Sequence, residues 1–312
     1  MDNSILNNAI ETLSEQFRNI HWSYLEVPPG SPREKTQLWP GDEKEDIMIC
    51  VAHGSETNEM FHRQDFFFFN YAYKGDYGAV SYKYDNQITI HENECYIGQP
   101  YAGYAIQNRS PKEIIVGVLI KTDTFFKTFL PVLSSDAALF HFFLEPQTNE
   151  YSEEYIHLRF DDDIQVRTLL EMMIIEYANK REDTQAILRP MALTLFMQVA
   201  RQYKRSIPIP ENETLSDKIV RFMGEHTDVV TLKDIAQHFS YHPNYISTLL
   251  KRELGKSFSE LLLEQRMQRA TSLLKGTNLS IEEIAFMLGY SNSSNFYKAF
   301  REYYHCSPRD YC

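Results

Sequence analysis

The sequence predicts an α+β protein, sheet-rich over its front two thirds and all-helical over its back third. Three observations carry this. Between Tyr24 and about Ile120, aromatic and β-branched runs alternate with turn-forming clusters, the texture of a β-barrel or sandwich. Beyond residue 213 the apolar spacing is helical, and one helical unit occurs there twice. The length of 312 residues favours two domains at roughly 150 residues each.

Residues 3–20 place Ile5, Leu6, Ala9, Ile10, Leu13, Phe17 and Ile20 at steps of three and four, the single apolar stripe of a leading helix. Turn signals follow at residues 28–30, 39–42, 74–76, 85–86 and 108–111. Between them, residues 77–84, 87–91, 95–97 and 114–121 read as strands. The four phenylalanines at 66–69 cannot all point inward, because alternate residues of a strand face opposite ways. Helical spacing returns over 163–179 and 184–205, each stretch too apolar for one buried face. That favours packing on the barrel plus a partner chain, a homodimer being the simplest arrangement. Pro208 and Pro210 then end the helix and extend the chain. The expected division is a front domain over 1–205, a linker over 206–213 and a back domain over 214–312.

Composition excludes several classes. With 43% hydrophobic and 24% charged residues the chain reads as ordinary globular protein. No apolar run approaches the roughly 20 residues of a membrane span, and no basic-then-apolar leader opens the chain. A cytoplasmic location is expected. Cys50, Cys95, Cys306 and Cys312 lie scattered without a CxxC pair, so reduced thiols are expected and a zinc ribbon is not. The net charge of −12 is uneven, since residues 211–312 hold 12 basic and 13 acidic residues. The acidity belongs to the front, which leaves room for a locally basic face behind.

In the back third, Leu232, Ile235, Ala236 and Phe239 recur as Ile281, Ile284, Ala285 and Leu288, 49 residues later. Ile246, Leu249 and Leu250 recur as Phe296, Ala299 and Phe300, 50 residues later, through one inserted turn residue. Each copy reads as helix, turn, helix. Pro243 suits a first helical position, Asn292 an N-cap, and Gly255 and Gly289 positive φ. The apolar residues of each second helix face its own core. The outward face carries Asn244, Ser247, Thr248, Lys251 and Arg252 in the first copy, and Ser293, Ser294, Tyr297, Lys298 and Arg301 in the second. Early side chains of such a helix reach base edges and later basic ones reach phosphate. A single solvated helix shows similar residues. Two copies joined by one helix over 258–274, bearing Arg266 and Arg269, suit two recognition helices about one DNA turn, ~34 Å, apart.

These residues stand in a known register. The runs 232–236, 245–251, 255–258, 266–270, 284–285, 289–290 and 296–301, with Leu273-Leu274 and Ser307-Pro308, resemble the AraC/XylS family of transcription regulators over about a third of the chain. The resemblance implies two helix-turn-helix units on double-stranded DNA. It assigns base reading to Asn244, Ser247 and Thr248, and to Ser293, Ser294, Tyr297 and Lys298. It also implies RNA polymerase as a partner and activation as the sign. Two departures stand out: His305 where the family has Gly, and His242 where a Ser-type cap is common. Histidine tolerates the left-handed region, whereas His242 is expected to weaken its helix start by ~1 kcal/mol.

Residues 61–67, 71–75 and 93–100 are similar to the cupin-like sensor domain attached to many such regulators, which implies a cupin-like β-barrel with flanking helices. A metal cupin needs a His-x-His pair, a Glu and a later His. Here His62-Arg63-Gln64 lacks the second His, and Tyr104 takes the late position. No metal, cofactor or catalytic residue is expected. His53, His62 and His91 are assigned to the barrel rim or to satisfied polar positions. His62, Gln64, Tyr71, Tyr73, Tyr101 and Tyr104 are the candidate pocket residues, with Arg63 available to an anionic ligand. A barrel filled by its own side chains is the competing arrangement. Three functions follow: a regulator controlled by a small-molecule effector, a regulator whose front domain only dimerises or binds a protein, and a cupin metalloenzyme fused to DNA-binding helices.

Overall fold

A computed structural model of the chain describes residues 3–28, 34–53, 61–81, 86–107, 110–133, 142–143, 155–160, 163–206 and 213–311. The chain forms two compact units, residues 1–125 with 149–206, and 126–148 with 207–312. The expected turns at 29–30 and 108–109, the strand end at 82–84 with Asp85, and the linker over 207–212 lie outside the described residues.

The first unit opens with α1 (Asn3–Arg18), whose Leu6, Ala9, Ile10 and Leu13 are buried. Among the described residues ten strands follow: β1 (Thr36–Gln37), β2 (Ile47–His53), β3 (Arg63–Gln64), β4 (Phe67–Lys74), β5 (Tyr77–Ser81), β6 (Asn86–Ile90), β7 (Glu94–Gly98), β8 (Tyr104–Gln107), β9 (Ile114–Ile120) and β10 (Tyr155–Arg159). Five form an antiparallel sheet in the order β10-β7-β4-β9-β2, three form a second in the order β6-β5-β8, and β1 pairs with β3 in parallel. A further antiparallel bridge joins His62 to Tyr104. The four predicted strands correspond to β5, β6, β7 and β9. The edge strand β10, five residues alternating Tyr, Ile, His, Leu and Arg, is too short to have been separated from its surroundings.

Alternation along β4 sorts its aromatics between two cores. Phe68 stacks on Tyr104 at 4.2 Å between ring centres. Phe67 stacks on Phe125 at 4.0 Å, and Phe69 and Tyr71 both lie against Phe160. Two helices, α2 (Asp163–Ala178) and α3 (Thr184–Ser206), follow β10. Phe125 meets Phe196 of α3, and the Tyr73 hydroxyl donates to Glu171 of α2 at 2.8 Å. Gln185 of α3 accepts from the Asp46 and Ile47 N–H groups at 3.0 Å and donates to the Ile47 carbonyl. One amide thus satisfies backbone at the start of edge strand β2, where no further strand pairs.

The first unit's β9 leads into a helical turn at Thr122–Thr124 and a π-type turn at Phe125–Phe129, and Leu130–Leu133 is helical in the second unit. Six helices then follow: α4 (Leu215–Glu225), α5 (Leu232–His238), α6 (Pro243–Leu254), α7 (Phe258–Gly276), α8 (Ile281–Met287) and α9 (Ser293–Tyr304). Ile219 and Met223 of α4, Ile235, Ile246, Leu249, Leu250 and Leu261 make one core. Ile284, Ala285, Leu288, Phe296 and Phe300 are the buried residues of the second copy. Neither α4 nor its place in the first core was expected from the repeat, whose matched residues begin at Leu232.

Candidate nucleic-acid interface

The internal repeat extends to backbone conformation. Thr231 caps α5 and accepts from Asp234 N–H, while Ser280, 49 residues on, caps α8 and accepts from Glu283 N–H. After each helix one residue turns left-handed, Ser240 at φ 58° and Gly289 at φ 79°. The following N–H groups, Tyr241 and Tyr290, donate to Ala236 and Ala285 at 2.9 Å. Past the inserted residue the offset is 50: His242 and Asn292 cap α6 and α9, and Gly255 and His305 close them in the left-handed region. His305 at φ 60° does what a glycine there does. His242 does more than expected, since its Nδ1 accepts from Asn244 N–H at 3.2 Å and so supplies the cap in place of a hydroxyl.

The outward face of each copy's second helix is as the residue spacing placed it. On α6, Ile246, Leu249 and Leu250 are buried while Asn244, Thr248, Lys251 and Arg252 are exposed and Ser247 is half-buried. On α9, Phe296 and Phe300 are buried while Ser294, Lys298 and Arg301 are exposed and Ser293 and Tyr297 are half-buried. The electrostatics of the two faces differ. Lys251 lies 3.4 Å from Glu260 and Arg252 2.9 Å from Glu253. Among the described residues, Lys298 and Arg301 have no carboxylate partner.

The basic residues of α7 are turned inward. Arg269 is buried and donates from Nη1 to the Thr227 hydroxyl at 2.5 Å and from Nη2 to the Gly224 carbonyl at 2.7 Å. Arg266 donates to the Thr227 and Asp228 carbonyls at 2.8 and 3.2 Å and lies over the Tyr290 ring. Burial pulls its guanidinium below the usual value. These two arginines tie the turn before the first copy to α7, and Arg266 reaches the turn of the second copy as well. They serve the frame that carries α6 and α9.

Four capping boxes hold the frame's helices: Thr214 with Asp217, Thr231 with Asp234, Ser257 with Glu260 and Ser280 with Glu283. Hydrogen bonds from each cap's hydroxyl and N–H hold all four carboxyls below the usual range, Glu260 at about 2. A carboxyl depressed in the folded state stabilises it above the unfolded pKa of roughly 4, and that contribution is lost as pH falls through the folded value. Helical circular dichroism of the chain is therefore expected to fall between about pH 4 and about pH 2. Replacing Ser257 and Ser280 by Ala should move the onset upward; an unmoved onset would remove the caps from the account.

In the first unit, His62, Gln64 and Tyr104 line a cavity of about 50 Å³. It shares Trp22, Gln37 and His62 with a groove of about 570 Å³. The structure does not bring the other predicted pocket residues there. Tyr71 and Tyr73 lie on the opposite face of β4, where the Tyr71 hydroxyl donates to Asn93 at 3.1 Å and Arg167 stacks on Tyr73. Tyr101, left-handed at φ 66°, offers its carbonyl to Arg63 Nη1 at 2.6 Å. Arg63 is thus engaged with the 101–103 turn and lines neither space, contrary to its expected use on an anion. Phe17, Trp22, Gln37 and Asn70 also line the cavity. Asn70 shares a face of β4 with Phe68, two residues away, but nothing in the sequence marked that face as the one with the cavity. Among the described residues no group of three or more His, Cys, Asp or Glu is placed to hold a metal ion, and no helix is long and apolar enough to cross a membrane.

A family model described as a helix-turn-helix domain matches residues 235–312. The regulatory protein PocR of Salmonella typhimurium is 36% identical over 105 residues, 33% of this chain and 34% of that protein. The melibiose operon regulatory protein of Escherichia coli K12 is 28% identical over 118 residues, 38% of this chain and 39% of that protein. The chain thus spans well under two thirds of the length of these curated relatives. Among solved structures, the C-terminal domain of AraT, a response regulator from Geobacillus stearothermophilus, is 33% identical over 32% of this chain and 86% of that chain, with a TM-score of 0.31. ToxT from Vibrio cholerae is 17% identical over 86% of this chain and 98% of that chain, with a TM-score of 0.34.

Proposed function

We propose that the protein is a sequence-specific DNA-binding transcription regulator, a reading supported by the helix-turn-helix model over residues 235–312 and by the resemblance of the back third to the AraC/XylS family. One observation carries the reading: two capped helix-turn-helix copies on a shared arginine-tied frame, each exposing a short-polar and basic helix face. Asn244, Ser247, Thr248, Ser293, Ser294, Tyr297 and Lys298 read bases, and Lys251, Arg252 and Arg301 hold phosphate. The front unit binds a small-molecule effector in the cavity beside His62, Gln64 and Tyr104, and shifts DNA binding by its differential affinity for two states. It also dimerises through α2 and α3, which bury Leu170, Ile174, Leu195 and Phe196 yet leave Ile164, Met172, Ile187 and Met197 exposed. Activation through RNA polymerase follows from the family resemblance.

Selection of bound sequences from random duplexes by the full chain tests the reading. Enrichment of a two-part site is expected, and recovery of no preferred sequence would overturn it. On the selected duplex, the ion pairs on α6 make the two copies unequal. Arg301→Ala should lower the slope of log affinity against log salt by about 0.9, one phosphate contact. Lys251→Ala should lower it less, because Glu260 already screens that charge. Equal changes would sink the asymmetry, and melting should stay within about 0.5 kcal/mol in both variants.

A further inference from the structure

Resting on the reading of the front unit as a sensor, we propose that its effector is an uncharged polar molecule that donates hydrogen bonds and carries one flat apolar face. The acceptors are already built. Gln37 and Gln64 line the cavity and are 7% and 3% exposed, yet among the described residues the Oε1 atom of each has no hydrogen-bond partner. Native structures pair nearly all such groups, and an orphaned buried acceptor costs stability until something donates to it. Gln64 is oriented for this, because its Nε2 is occupied by the Tyr104 hydroxyl at 2.9 Å. Gln37 stands where the cavity and the outer groove meet, lining both, so a ligand entering from the groove passes it.

Charge decides the class. Among the described residues no Lys, Arg, Asp or Glu side chain lines the inner cavity. Arg63, between His62 and Gln64 in the sequence, is held by the Tyr101 carbonyl. An anion would meet two amide oxygens with the His62 imidazole as its partner, and a cation would find no carboxylate among the described lining residues; either loses its hydration with little return. The remaining wall is apolar: Trp22 and Phe17 supply rings, and Ile115 and Leu119 supply aliphatic surface. Gly117 on β9 keeps the floor open, since a Cβ there would sit 3.1 Å from Asn70 Oδ1 and 3.5 Å from the Cys50 Cβ.

The test uses the full chain with matched probes: galactose against galacturonate, and uracil against orotate, each followed by melting temperature and tryptophan fluorescence. A preference of at least tenfold for the uncharged member of a pair that binds supports the proposal. Gln37→Leu supplies a readout that needs no ligand. Its melting temperature should rise by about 2–4 °C, because the variant removes an unpaired buried acceptor, and its affinity for the bound probe should fall at least tenfold. A lowered melting temperature overturns the proposal by showing that Gln37 is satisfied. Tighter binding of galacturonate or orotate overturns the ligand class while the sensor reading stands. Binding by none of the four at 10 mM, with unaltered DNA affinity, overturns the sensor reading itself and the ligand class with it.

Discussion

Gly289→Ala is expected to cost roughly 2–4 kcal/mol in the stability of the DNA-binding unit and to weaken specific DNA binding at least a hundredfold. Two effects meet at this residue, and the first copy separates them. Ser240 occupies the equivalent position at φ 58°, so a side chain tolerates the left-handed backbone there at about 1 kcal/mol. What Gly289 cannot accept is the neighbour. A Cβ would stand 1.9 Å from the Asp228 carbonyl oxygen and 2.7 Å from Arg266 Nη2, and the first of these is backbone that cannot swing aside. Gly255→Ala is the control, because its φ is 71° and nothing lies within 4 Å of the added atom. It should lose only about 1 kcal/mol. Thermal unfolding and anisotropy titration on the selected duplex compare the two; equal losses would show that strain alone governs both positions.

Arg269→Met is expected to destabilise the same unit by about 2–4 kcal/mol, more than any substitution on the recognition faces. The side chain is 7% exposed and satisfies the Gly224 carbonyl and the Thr227 hydroxyl together. Methionine fills much of the volume but leaves that carbonyl without its charge-assisted donor. Arg269→Lys should recover little, since an ammonium cannot present two divergent N–H groups to both partners at once. Chemical denaturation of the full chain reads the loss. Lys298→Ala, which removes an exposed charge, should barely move the same curve. Wild-type stability in Arg269→Met would mean that the turn at 224–228 needs no tie to α7.

Much of the back unit was legible because its information is local. The repeat of Leu232, Ile235 and Ala236 as Ile281, Ile284 and Ala285 reports a repeated core, and the polar residues between apolar ones must then face outward. The S/T-x-x-D/E spacing of all four capping boxes was also there to be read, from Thr214-x-x-Asp217 to Ser280-x-x-Glu283. Arg266 and Arg269 were not, because a basic residue on a helix reads alike whether it meets phosphate or a carbonyl. In the front unit, Phe66 to Phe69 announced a strand with two buried faces. The period of two could not say which face held the cavity, so Tyr71 and Tyr73 were grouped with Gln64 although they point to α2 and Phe160.

By itself, then, the sequence determined the fold class, the duplicated helix-turn-helix unit and the residues on its two outward faces. All of these depend on periodicity and on turn chemistry within a few residues. The tertiary structure alone decided that α7 turns its arginines inward, that Arg63 serves a turn, and that Gln37, Gln64 and Trp22 share one cavity. Those outcomes depend on which carbonyls, rings and acceptors distant segments bring within hydrogen-bond reach. A hydrogen bond between Arg269 and Gly224 spans 45 residues, and no local pattern encodes a partner at that separation.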